Sequence, residues 1–360
     1  MLGNQVSRNN GLTVSVDWLA FTSTTFSSVG EIAEFLGYSL EEFQLMPKGA
    51  QGYKKMHRLN SCEVKILSDG ADDMGYHVII PGSAIMDVLQ HFKFANSSTT
   101  PFSGDELVPT LTDLNNTIMV EFLTQLRRFG WLTRLDLAVD DHGAAFFTVE
   151  DIRTYIDRQE VVSKFRSFRD ICESTLTGER TGHSLYLGSR SSEIMLRIYD
   201  KQLEQNKKAT SEEALIQEPW VRWEFELKND RANIAADMII QHKELGEIVM
   251  SILNNYVKIV VLDDSNRSRC SILPLWQKFV DAVGRLRLFV PEFAKTLEQK
   301  EEWIVHQCMP TLAGLILANR GDIDVILRHF ENGVVRMNSH LQHLVSKKNP
   351  HWKRDLEYMI

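Results

Sequence analysis

Three segments of this sequence alternate between apolar and charged residues, and that alternation restricts the fold more than any other feature. In WVRWEFELK, Trp220–Lys228, the residues Val221, Trp223, Phe225 and Leu227 alternate with Arg222, Glu224, Glu226 and Lys228. In WLTRLDLAVDD, residues 131–141, Leu135, Leu137 and Val139 alternate with Arg134, Asp136, Ala138 and Asp140. In EIMLRIYDK, residues 193–201, Leu196 and Ile198 alternate with Met195, Arg197, Tyr199 and Lys201. Side chains along a strand point alternately to opposite faces, so each segment reads as a half-buried strand with one charged face. If the three share one sheet, their charged faces merge into a single surface. It carries Asp136, Asp140, Glu224 and Glu226, five cations and Tyr199.

The rest of the chain divides in two. Residues 12–231 read as α+β: antiparallel sheet with flanking helices. LTVSVDWLAFTS, CEVKILSD, MGYHVIIPG and HSLYLGS have strand patterns. VGEIAEFLG, LEEFQLM, SAIMDVLQHF, TIMVEFLTQLRRFG and TVEDIRTYIDRQ have helical spacing, and NSSTTPFSGD is a polar loop. From about Ala232 the apolar period becomes 3.6, so residues 232–360 are expected to form an all-helical region with a DNA-binding or dimerisation role. Helices are expected near Pro274, Pro291 and Thr311. Residues 311–337 suit either a helix-turn-helix or a plain helical hairpin.

The chain has 360 residues, 43% hydrophobic and 24% charged, enough for two or three domains. No apolar run reaches the roughly 18 residues of a membrane span, so no membrane role is expected. The N-terminus lacks the apolar core of a signal peptide. Cys62, Cys172, Cys270 and Cys308 form no CxxC pair and read as free thiols, which makes the cytoplasm the expected location. The net charge of −8 argues against indiscriminate coating of nucleic acid. A local basic strip, SKFRSFR, nonetheless interleaves Lys164, Arg166 and Arg169 with two phenylalanines, a mix suited to a backbone with stacked bases and equally to a solvated helix face.

Crowded carboxylates raise one another's pKa unless a cation neutralises them. A hard divalent ion with oxygen ligands, Mg²⁺ or Mn²⁺, is one such neutraliser, and it polarises phosphoryl oxygens. A tyrosine among cations can attack phosphorus and form a covalent intermediate. Cations on the same face hold phosphates. The same pattern also suits an exposed sheet face whose charges merely pair across strands. The absence of GxxxxGK[ST] argues against ATP hydrolysis. His183 is a candidate neighbour of the phosphate or a structural residue. His340 and His343 share a helix face as surface residues, and the GSRSS turn offers backbone amides to a phosphate or is an ordinary hairpin turn.

VDWLAFT, TRLDLAVDDHG, GHSLYLGSRSSEIMLRIYDKQLEQ and WVRWEFELKNDRA occur in an order that resembles the Rep_trans replication initiation factors and relaxases of rolling-circle plasmids, filamentous phages and integrative conjugative elements. The resemblance spans roughly Val14 to Ala236. It implies a protein that nicks one strand at its own origin, stays joined to the 5′-phosphate through a tyrosine, frees a 3′-OH primer and rejoins the strand. By that resemblance Tyr199 is the nucleophile. Arg197 and Lys201 hold the scissile phosphate and lower the tyrosine's pKa. Asp136, Asp140 and Glu224 are metal-ligand candidates, with Glu226 in reserve. Arg134, Arg222, Arg190, Lys164, Arg166 and Arg169 are candidates for the DNA backbone. The two-histidine motif of other relaxases is absent. Expected partners are origin DNA, a host replicative helicase and a second copy of the chain, since two nicking events call for two tyrosines. A non-catalytic DNA-binding regulator and a metal-dependent phosphohydrolase without a covalent step are the competing functions.

Overall fold

The computed structural model describes residues 11–96, 111–209, 215–286, 301, 304–305, 309–324, 334, 345–346, 348–349 and 351–352. Met1–Val290 forms one compact unit and Pro291–Ile360 a second. In chain order the first contains β1 (Leu12–Ser23), α1 (Val29–Leu36), β2 (Phe43–Leu45), β3 (Lys55–Leu59), β4 (Lys65–Ser68) and β5 (Tyr76–Pro81). There follow α2 (Gly82–Asn96), α3 (Leu111–Phe129), β6 (Trp131–His142), α4 (Val149–Asp157), β7 (Val161–Ser163), β8 (Phe168–Ser174) and β9 (Arg180–Leu187). The unit continues with β10 (Ile194–Asp200), α5 (Lys201–Asn206), β11 (Trp220–Lys228), α6 (Asn229–Ile240), α7 (Leu245–Tyr256), β12 (Val257–Ile259) and α8 (Pro274–Val283). In the second unit, α9 spans Met309–Ala318.

Ten strands pair in one sheet in the order β2-β3-β4-β5-β1-β6-β11-β10-β9-β8, and β7 pairs with β12 separately. Every pairing is antiparallel. The fold is therefore α+β, with the three alternating strands adjacent at its centre. Their apolar residues, from Leu135 and Leu137 through Leu196, Ile198, Trp223 and Phe225, enter one core with α1–α3, α6 and α8. The opposite face keeps a small apolar patch, Ala20, Tyr53, Leu67 and Ile79, and is otherwise charged around β6, β11 and β10.

Local chemistry explains where the helices begin and end. Ser28 caps α1 by accepting from the Glu31 amide. Gly37 ends α1 at φ +86°, where an added Cβ would lie 2.4 Å from the His91 carbonyl, so only glycine fits. Thr148 and Asp151 form a reciprocal capping box on α4. Asp200 caps α5 by accepting from the Leu203 amide at 2.9 Å, which turns the chain sharply at the end of β10.

Several expectations need correction. LEEFQLM forms a 3-10 turn followed by strand β2, because Phe43 is buried while Gln44 and Leu45 are exposed. The helical stretch after Ala232 is broken between Ile240 and Leu245 and ends in strand β12, which pairs with β7. Helices α6–α8 lie within the first unit, on its sheet, so the expected division at 231/232 falls inside it. The loop at 97–105, the helix near Pro291, His340, His343, Cys308 and most of 311–337 beyond Asp324 lie outside the described residues. Among the described residues, no helix is long and apolar enough to cross a membrane.

Trp276 of α8 stacks obliquely on Trp223 of β11 at 5.7 Å and meets Phe279 and Phe147 at 5.6 and 6.0 Å. It is 1% exposed. Trp276→Ala should therefore cost about 3–5 kcal/mol, measured as a lower denaturation midpoint of the whole first unit. Loss confined to a separate C-terminal transition would contradict this packing.

Candidate active site

Strand order and register assemble the charged surface. Across β6 and β11, Asp136 faces Glu226, Ala138 faces Glu224 and Asp140 faces Arg222. Across β11 and β10, Glu224 faces Arg197 and Arg222 faces Tyr199. Beyond β10, Tyr186 of β9 faces Arg197, and Arg169 of β8 faces Tyr186. Arg134, Asp136, Asp140, Arg169, Arg197, Tyr199, Arg222, Glu224 and Glu226 thus share one side of the sheet.

The carboxylates are neutralised chiefly by cations of the same face. Arg134 grips Asp136 through Nε at 2.9 Å and Nη2 at 2.5 Å, and its Nη2 lies 2.9 Å from Glu226. Lys228 lies 2.7 Å from Glu226. Arg222 donates to both oxygens of Asp140, at 2.7 and 2.8 Å, and Trp220 Nε1 adds a third donor at 2.6 Å. Burial pushes the Asp136 carboxyl up to about 7 against the pull of Arg134. Among the described residues, no three of these four carboxylates bring ligand atoms within 4.8 Å of one another.

One carboxylate of the site escaped the strand pattern. Asp17 sits at a β-bulge in β1, between Val16 and Trp18, where the pairing with β6 slips by one residue. The bulge brings Asp17 Oδ1 to 2.5 Å from Arg222 Nη1. Gly82 backs it: an added Cβ would lie 2.8 Å from Asp17 Oδ1. Burial alone would lower the Arg222 pKa; Asp140 and then Asp17 overcome it and hold the guanidinium charged.

Tyr199 is 2% exposed. Its hydroxyl donates to Glu224 Oε2 at 3.2 Å and accepts from Lys201 Nζ at 3.2 Å. Lys201 reaches back from the first position of α5 and is held by Glu204 at 2.5 Å. The Arg197 guanidinium lies over the Tyr199 ring, 3.8 Å from its centre. Burial pushes the Tyr199 pKa well above its ordinary 10, and only Arg222 among its main neighbours pulls it down. The expectation that Arg197 and Lys201 lower this pKa therefore fails, because desolvation of a phenolate exceeds what these cations return. Glu224 is also raised, first by burial and then by the Asp17 charge. Lys201 is lowered, first by burial and then by Arg222.

Two cations of the face stand apart. Among the described residues, Arg197 and Arg169 have no carboxylate within 4 Å, and Arg197 Nε is buried without a hydrogen-bond partner. Both guanidiniums lie against the Tyr186 ring, at 5.6 and 5.3 Å. Other expected residues lie elsewhere. Lys164 bonds Asn255 and covers Tyr256 beside the small sheet, Arg166 is exposed, and Arg190 is exposed in the hairpin turn before β10. The Ser189 and Ser191 hydroxyls of that turn bond each other at 2.9 Å. His183 points away from Tyr199. It alternates with Ser184, which faces Tyr199, and its Nε2 meets Asp170 Oδ1 at 3.0 Å on the helix-covered side.

The open face of this antiparallel sheet thus sets one tyrosine among cations and carboxylates. The comparisons with known proteins go further. The model of the replication initiation factors (Rep_trans) matches residues 130–330. The chain belongs to that family. Over 201 residues it is 32% identical to the "Putative DNA relaxase NicK" of Bacillus subtilis (strain 168), a match that covers 54% of this chain and 55% of that protein. The chain thus spans about half the length of that curated relative. A solved rolling circle replication initiator protein from Geobacillus stearothermophilus superposes with a TM-score of 0.62 at 29% identity, over 78% of this chain and 100% of that one.

Arg222 is 7% exposed and compensates two carboxylates. Arg222→Gln should destabilise the fold by about 3–5 kcal/mol in denaturant unfolding, because it leaves Asp140 uncompensated in the sheet. Asp140→Asn in the same background should recover part of that loss.

Proposed function

We propose that this chain nicks one strand of DNA at its cognate origin through Tyr199 and later rejoins the strand. The observation that carries the reading is the setting of the phenol, held between Glu224 and Lys201 beside an arginine with an unused donor. The family membership supports the substrate class.

A buried phenol with a raised pKa needs a base. Glu224 accepts its hydrogen bond and, with its own pKa raised, is matched to take the proton. The phenolic oxygen then bonds to phosphorus while the bond from phosphorus to O3′ breaks. The DNA 5′ end is left on Tyr199, and the 3′ oxygen leaves with a proton from water. Lys201 and Arg222 stabilise the developing phenolate charge, and the Arg197 guanidinium, which has no carboxylate within 4 Å among the described residues, meets a non-bridging phosphate oxygen. Rejoining reverses these steps.

A divalent ion, Mg²⁺ or Mn²⁺, would supply charge stabilisation at the phosphate. Asp136, Asp140 and Glu226 are already matched by arginine and lysine. Asp17 is matched by Arg222 as well, so Glu224 would be the carboxylate of this face left to meet such an ion. The strand beside the nick lies along Arg169, Tyr186 and Arg197, where Tyr186 offers a ring for a base and the arginines meet phosphates. Arg134, Arg190, Lys164 and Arg166 extend the contacts to flanking backbone. The first unit carries the chemistry, and the second, Pro291–Ile360, serves DNA binding or pairing of two copies. A host helicase loads at the nick.

The test is incubation with supercoiled plasmid carrying the element's origin and Mg²⁺ or Mn²⁺. Expected are relaxed circles with protein on the 5′ end, absent with Tyr199→Phe and after chelation. Nicking that survives Tyr199→Phe would mean water or another tyrosine attacks. Origin binding without nicking would favour the regulator. Glu224→Gln should slow nicking about 10²–10⁴-fold. In the wild type, the rate should fall as pH drops through the Glu224 pKa, which lies above the ordinary 4.5, because the protonated carboxyl cannot accept the phenol's proton. Tyr186→Ala should weaken single-strand binding by about 1–3 kcal/mol, read by fluorescence anisotropy.

A further inference from the structure

The other side of the β8–β9 edge carries a second cluster that nicking does not use. Cys172 of β8 stands directly opposite His183 of β9, and Asp170 lies two residues along β8 on the same face. Asp170 Oδ1 is 3.0 Å from His183 Nε2 and 3.7 Å from Cys172 Sγ. All three donor atoms fall within 4.8 Å of one another. Donors around a tetrahedral zinc ion, at about 2.0–2.3 Å from the metal, stand roughly 3.3–3.6 Å apart. The cluster therefore needs only small side-chain adjustment to close on an ion.

The surroundings match the support that metal ligands receive. His183 is 4% exposed, and its other ring nitrogen, Nδ1, lies 3.7 Å from Glu150 Oε2 of α4. A carboxylate there orients a ligating imidazole. The second oxygen of Asp170 is held by Arg153 Nε at 2.7 Å, while among the described residues Oδ1 meets only His183 and Cys172, the other two donors, and would exchange those contacts for an ion. Cys172 is exposed, so an ion can enter. Imidazole, thiolate and carboxylate together select Zn²⁺ over the hard ions Mg²⁺ and Mn²⁺.

We propose that Asp170, Cys172 and His183 form a Zn²⁺ site on the helix-covered side of the β8–β9 edge, with a fourth position open to water. It is separate from the Tyr199 face, because residues of β8 and β9 that face Tyr199 alternate with these three. Binding releases the Cys172 thiol proton. The His183 proton moves to Nδ1, which faces the Glu150 carboxylate. The ion cross-links β8, whose seven residues are all exposed, to β9. Arg169 on the opposite face of β8 is thereby fixed against Tyr186.

The experiment needs no DNA and so stands or falls apart from the nicking reading. Metal-free full-length protein is titrated with Co²⁺. Expected is one equivalent bound with a thiolate-to-cobalt charge-transfer band, displaced by Zn²⁺ and unaffected by excess Mg²⁺. The band should vanish in Cys172→Ser, whose side chain is exposed and whose fold should be unchanged by circular dichroism. Affinity should fall about 10–100-fold in Glu150→Gln, which touches no metal. A band that persists in Cys172→Ser would assign the ion to another cysteine, and absence of any thiolate band at one equivalent would leave only a His183–Asp170–Arg153 ion network. Either result overturns the site.

Discussion

The bridge from Arg222 to Asp140 and Asp17 is the interaction on which the rest of the charged face depends. It ties three strands, β11, β6 and β1, on the side of the sheet opposite the core that α1–α3, α6 and α8 cover. Buried charges are tolerated when they are paired and hydrogen-bonded, and here the guanidinium satisfies two carboxylates while Trp220 completes Asp140. The pairing also specifies register. A slip of one residue would put Arg222, Glu224 and Glu226 into the core and Trp223 and Phe225 outside.

The same bridge sets the charge balance of the face. Arg222 is spent on Asp140 and Asp17, Arg134 on Asp136 and Glu226, and Lys228 on Glu226. Among the described residues, Glu224 hydrogen-bonds the Tyr199 hydroxyl and no cation lies within 4 Å of it, and the buried Arg197 Nε has no partner. The face therefore divides into a compensated scaffold on β6 and β11 and an uncommitted strip along β8, β9 and β10. Charge balance thus separates the cations of this face that are already paired from those that are not.

Much of this was readable from residue order. Alternation alone placed Arg197, Tyr199, Arg222 and Glu224 on one face, because strand geometry leaves no choice once the apolar partners are in the core. Asp17 was not readable: the bulge at Val16/Trp18 breaks the very period used to assign faces. The partners of the carboxylates are hidden for a related reason. Alternation shows which residues share a face, but only register shows that Asp140 meets Arg222, and an in-strand neighbour, Arg134, grips Asp136. FRDICES gave no strand signal because β8 is an edge with no buried residue and so no apolar period. The helices after Ala232 were recognised by period, yet their attachment to the sheet rests on Trp276 meeting Trp223 from 53 residues away in sequence, which no local pattern encodes.

Tyr199 is covered by Arg197 on one side and closed by Lys201 and Glu204 at its tip. A phosphate ester on that oxygen would be shielded from bulk solvent, so its lifetime would be governed by which hydroxyl can be positioned against it. A DNA 3′ end aligned by the flanking strip has that access, whereas a water molecule arrives without alignment. With Tyr199 as the proposed nucleophile, burial of the phenol would bias the linkage toward strand joining over hydrolysis and would conserve the energy of the broken phosphodiester until an end is available to accept it.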